Sequence, residues 1–220
     1  MKKMFKTEVF DRSGGYSSMS ERSFMATIAG FVGWGLLMVF IMATKLAPPS
    51  PSLGYLLGVG LALPIIGILV AGFCQDNPIL SFIGYNLITI PLGLCMGWVS
   101  TTKTTVIQDA LTLTLLITCV MGVLGIILPK FFESIGGFLF YSLLALVIVR
   151  IIQIFVPAMH GMSIIDYIAA GIFSLYIGYD MHRATLVDRN VANALQVAIS
   201  LVLDIVNLFL SIVSALSNDD

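Results

Sequence analysis

Long apolar runs separated by short polar or proline-rich links dominate this chain. A helix needs roughly 20 apolar residues to cross a bilayer, because each residue rises about 1.5 Å and the hydrocarbon core is about 30 Å thick. Seven segments meet that length: Ser23–Thr44, Ser52–Cys74, Ile79–Ser100, Gln108–Leu128, Ser134–Val156, Ser163–Met181 and Asn190–Ser217. The breaks hold the residues expected of helix ends, such as Ala47-Pro48-Pro49-Ser50-Pro51 and Gln75-Asp76-Asn77-Pro78. The pattern predicts an all-α integral membrane protein. Residues 1–22 form a polar, basic leading segment, 23–217 a single seven-helix membrane domain, and 218–220 a short polar tail.

Composition sharpens this. Of 220 residues, 58% are apolar and 10% charged. Soluble domains carry about 25% charged residues, so most of this surface must meet lipid or other helices. A net charge of -1 gives no reason to expect a nucleic-acid partner. Cys74, Cys95 and Cys119 all lie within apolar runs without a CxxC pairing, which argues against a disulfide framework and against a zinc site. The first apolar run is too long for a signal-peptide core of about 7–15 residues, so it reads as a retained helix.

Basic residues set the expected orientation. With the N-terminus inside, the inner segments hold eight, namely Lys2, Lys3, Lys6, Arg12, Arg22, Lys130, Arg183 and Arg189. The outer segments hold three, Lys45, Lys103 and Arg150. The positive-inside rule then places the N-terminus in the cytoplasm, and the cell (inner) membrane is the expected location. Most other charges have ordinary explanations. Asp109 opens the fourth helix, Asp166 makes a capping-box-like start for the sixth with Ser163, and Lys130 and Glu133 fall in a loop. His160 and His182 read as interfacial residues.

Charge deep within a span is the informative exception, since an aspartate at a helix centre costs about 2.5–3.5 kcal/mol even on a lenient scale. Asp204 holds that position in the last segment. Asn193, Gln196, Ser200, Asp204, Asn207, Ser211 and Ser214 follow one another at steps of three or four, which is one face of a helix. Such a stripe bonds to neighbouring helices or lines a watery path. Asp180 is the second exception, near the inner end of helix six. A hairpin turning near Ala192 puts the two aspartates level, whereas the hydropathy boundaries centre the turn nearer Leu186 and offset them. If they meet, they cannot both ionise cheaply and titrate as a unit. Ionised, they offer oxygen ligands to a hard cation such as Ca²⁺; protonated, they hold each other through a shared hydrogen. The competing role is helix–helix glue.

The segments Ile177-Gly178-Tyr179-Asp180 and Leu201-Val202-Leu203-Asp204-Ile205-Val206-Asn207-Leu208-Phe209-Leu210 resemble the transmembrane Bax-inhibitor-motif family. The plan of seven short-looped helices extends the resemblance over nearly the whole chain. It implies six helices surrounding a central C-terminal one, and a pH-sensitive calcium leak with Asp180 and Asp204 as sensor. Ca²⁺ and protons are then the transported ion and the signal, and no cofactor is implied. One feature departs from the family: its bacterial members latch the closed state with an arginine in helix two, and Ser52–Cys74 contains neither Lys nor Arg.

Three other functions compete. An intramembrane aspartyl protease also pairs aspartates on adjacent helices, but Leu201-Val202-Leu203-Asp204 is bulky where such enzymes carry Gly-x-Gly-Asp, and a non-enzyme is expected. A proton-coupled transporter could use the same carboxylates as a relay, although no internal repeat is evident. The last is a non-conducting regulator of other membrane proteins.

Overall fold

The computed structural model describes residues 19–48, 50–74, 77–97, 99, 102–156 and 162–219. His160 and most of the basic leading segment lie outside them. The described residues contain no strand and form seven helices in chain order. We number them α1 (Glu21–Ile41, continuing through a π-wound turn Met42–Leu46), α2 (Leu53–Phe73), α3 (Pro78–Leu94), α4 (Thr104–Ile127), α5 (Pro129–Phe155), α6 (Ser163–Ala184) and α7 (Val191–Asp219). Six are long and apolar enough to cross a membrane, and α3 is a shorter apolar helix.

Local chemistry sets the boundaries. Ser20 and Ser52 accept hydrogen bonds from Ser23 N and Tyr55 N, each at 3.2 Å, and so start α1 and α2. Asn77 takes both Ile79 N and Leu80 N at the head of α3, with Pro78 next in line where its missing N–H costs nothing. The same logic corrects one sequence reading: Pro129 occupies the first turn of α5, which carries Lys130 and Glu133 within the helix rather than in a loop. Only Leu128 separates α4 from α5. α3 ends at Leu94, earlier than the expected Ser100, just after Pro91 and Gly93. Within α2, Leu56–Ala62 is π-wound, and Leu63 N donates to Gly58 O, five residues back. Pro64 follows at once, and its missing donor and its ring disfavour tight α-winding on its N-terminal side.

The chain packs as two compact units. The first takes α1–α3, the link Leu186–Asn190 and Val191–Val202 of α7; the second takes α4–α6 and the rest of α7 from Leu203. In the first unit Gly67 and Gly84 bring α2 and α3 together so closely that a Cβ on Gly84 would come within 2.6 Å of Ala71 N. Tyr85, fully buried, donates its hydroxyl to Phe31 O on α1 at 2.6 Å. In the second, Gly125 on α4 lies directly on the Gly178 carbonyl of α6, and the ring of Phe132 on α5 fills the space beside Gly178. Lipid tails are as apolar as leucine, so helices in membranes associate by such close packing of small residues and by hydrogen bonds.

Large apolar side chains cover the outside, among them Phe40, Leu57, Leu115, Phe140 and Ile151. A soluble surface tolerates no such continuous apolar cover, whereas a hydrocarbon core requires it. α7 differs. More than half of its apolar window is buried, against one third or less in every other span. Ala194, Ala198 and Val202 are buried in the first unit and Leu208, Val213 and Ala215 in the second.

Candidate functional site

The second unit brings Asp180 and Asp204 together. Asp180 stands four residues before the end of α6, and Asp204 thirteen residues into α7. The two helices extend unequally past the pair, by four residues on α6 and thirteen on α7. Both are buried, and their carboxyl groups are close enough to act on each other. Two ionised carboxylates have only acceptors, so a hydrogen bond between them would need a shared proton. Asp204 Oδ2 is buried with no hydrogen-bond partner among the described residues.

A cation sits on the other side of the pair. Arg183 Nη1 donates to Asp180 Oδ1 at 3.0 Å, from one turn further along α6. The guanidinium also lies 5.8 Å from the centre of the Tyr179 ring, within cation–π range. Tyr179 packs edge-on against Tyr176, and Tyr176 is within electrostatic reach of both carboxylates. Gly136 on α5 makes room for Tyr179, since a Cβ there would lie 2.9 Å from the ring. α6 thus supplies one acid, the base that faces it and two phenols, and α7 the second acid.

The remaining stripe residues have separate places. Asn190 caps the start of α7 by accepting the Asn193 N–H on Oδ1, and the Asn193 side chain donates to Asp188 O, each at 2.8 Å. Gln196 Nε2 donates to Ala71 O at 2.7 Å, satisfying one of the carbonyls left open at the C-terminal end of α2. Both belong to the first unit and hold backbone. Ser211 is buried in the second unit, Asn207 is half-buried there, and Ser200 is half-buried in the first.

Three residues take roles that the sequence reading gave them only in outline or not at all. Arg183 counts in the sequence as a positive charge of the link, yet it lies in the last turn of α6, on Asp180. Its spacing of three from Asp180 was the available signal. Asp166 caps nothing: Met162 precedes the helix without a side-chain cap bond. Instead the buried Asp166 carboxylate accepts from Arg150 Nη2 at 2.6 Å and from Ser214 Oγ at 2.7 Å. His182 is buried, and neither ring nitrogen has a hydrogen-bond partner among the described residues.

All of this lies inside a stretch that matches one known family. The model of the family described as "Inhibitor of apoptosis-promoting Bax1" covers residues 17–220, nearly the whole chain. With its apolar helices, this makes the chain an integral multi-pass membrane protein that belongs to the Bax inhibitor-1 family.

Proposed function

We propose that this protein is a pH-sensitive calcium leak whose gate is the Asp180–Asp204 pair, with Arg183 taking the part of the basic latch that α2 lacks. The observation that carries the reading is the burial of two neighbouring carboxyl groups, Asp180 on α6 and Asp204 on α7, with the Arg183 guanidinium on Asp180. With one proton between them, the two acids and Arg183 form a neutral, closed cluster. Loss of the proton puts two neighbouring negative charges in a low-dielectric site, and a single arginine cannot neutralise both. The helices then part, or a cation enters. A hard cation such as Ca²⁺ takes oxygen ligands and keeps waters, and the unpartnered Asp204 Oδ2 is an oxygen ready for it. With only two carboxylates, the site holds a passing ion weakly, as conduction requires. Tyr176, Tyr179 and Arg183 are the titratable groups beside the pair on α6. An N-terminus on the cytoplasmic face of the cell membrane completes the proposal.

The test is Ca²⁺ influx into liposomes holding a Ca²⁺-sensitive dye, followed from about pH 5 to 8. Influx should rise with pH in the parent. Asp180→Asn and Asp204→Asn should each flatten that profile. Influx no greater than in empty liposomes at every pH would reject the channel and leave a proton-coupled transporter or a non-conducting regulator.

A further inference from the structure

α6 carries another buried carboxylate, Asp166, which the leak mechanism does not use. Asp166 precedes Asp180 by fourteen positions on α6, about 21 Å at helical rise, and its side chain is almost wholly buried, with 4% exposed. Two other helices converge on it. From α7, Ser214 Oγ donates to Asp166 Oδ2 at 2.7 Å, and Asn218 Nδ2 lies 3.4 Å from the same oxygen. From α5, Arg150 Nη2 donates to Asp166 Oδ1 at 2.6 Å while its Nη1 donates to Gln153 Oε1 at 3.1 Å. The guanidinium therefore bridges two oxygens that lie on either side of one positive charge.

We propose that Asp166, Gln153, Ser214 and Asn218 form a second cation station, and that Arg150 occupies it as a tethered counter-ion which a hard divalent cation can replace. Three features favour this over a plain structural ion pair. A buried carboxylate must be paired with a positive charge, so the station cannot stand unpaired if Arg150 swings away. The Arg150 side chain is 40% exposed, so it can leave without crossing packed helices. The donors left behind suit a hard cation: two carboxylate oxygens, the Gln153 and Asn218 amide oxygens and the Ser214 hydroxyl. Together with water they reach the six or more oxygens that Ca²⁺ takes. The Asn218 amide needs only to turn over to present its oxygen. Calcium is named because of the leak reading; the station itself stands on the geometry.

The experiment is Ca²⁺-dependent thermal stability of the purified full-length chain in detergent, for the parent, Arg150→Gln, Arg150→Lys and Arg150→Gln/Asp166→Asn. With Arg150→Gln the station is open. Its apparent Tm should rise with Ca²⁺, with half-effect at about 10⁻⁴–10⁻³ M, as in loosely built calcium sites, and by about 3–6 °C at ten times that concentration. The double variant should lose the response, and Arg150→Lys, which keeps a tethered charge, should show little of it. Adding Asp204→Asn to Arg150→Gln should leave the response intact, which separates this station from the Asp180–Asp204 gate. A response in proteins that show no flux would refute the leak and retain the station. If Arg150→Gln gains no Ca²⁺ response beyond the parent, or if the double variant keeps it, the station is refuted. Should Arg150→Gln fail to fold without Ca²⁺, recovery of folded protein when it is extracted in Ca²⁺ supports the proposal, and failure in both conditions overturns it.

Discussion

Arg183→Gln removes the cation that pairs with Asp180 and takes a counter-charge from a buried carboxyl pair. The magnitude lies between two limits. An exposed helix pair at this spacing contributes about 0.3–0.5 kcal/mol, and breaking a buried pair costs about 3–5 kcal/mol. Here the Asp180 side chain is 7% exposed and that of Arg183 32%, so solvent screens only the arginine end. About 2 kcal/mol is expected for Arg183→Gln, or roughly 4–8 °C in apparent Tm for a chain of this length. Asp180→Asn in the same background removes the acid that the arginine neutralises and should recover about 1–2 kcal/mol of the loss, the signature of two residues in direct contact. The assay is thermal unfolding of the four proteins of this cycle in one detergent at one scan rate. Strictly additive losses would mean that the 3.0 Å contact couples nothing, and the latch role given to Arg183 would fall with it. Within the same cycle, Arg183→Gln should raise Ca²⁺ influx at the acidic end of the pH range, because the closed cluster has lost its counter-charge.

Two further predictions test the packing that presents the site. Gly125→Leu places a side chain against the Gly178 carbonyl and should cost about 2–3 kcal/mol by overpacking, whereas Gly171→Ala, which meets open space within the same unit, should stabilise α6 by about 0.5–1 kcal/mol; equal effects in thermal unfolding would contradict the close α4–α6 crossing. Gln196→Leu leaves the Ala71 carbonyl without its donor and should cost about 1 kcal/mol, with faster amide exchange at the end of α2 but an unchanged pH profile of Ca²⁺ influx; a flattened profile would give Gln196 a part in the gate.

Much of this protein is written in its sequence, because a bilayer imposes one-dimensional rules. Length and apolarity alone locate the seven helices, with errors only at their ends: α3 stops early after Pro91 and Gly93, and α5 starts at Pro129 instead of after Lys130 and Glu133. The cost of a buried charge singles out Asp204 and Asp180, and a run of residues around each carries the family. What no linear reading supplies is which side chains meet. The seating of α6 on α4 and α5 is set by packing: Gly178 on Gly125 and Phe132, and Tyr179 over Gly136. Only the assembled helices bring the carboxyl groups of Asp180 and Asp204 near each other. Arg183 looks like a link charge, and Asp166 looks like a cap, because helix-end chemistry explains both locally. The partner of Arg183, Asp180, is one turn away on the same helix, whereas Arg150 and Ser214, the partners of Asp166, become visible only when three helices are assembled. Sequence fixes what a membrane must exclude; tertiary packing decides which of the costly charges neutralise one another.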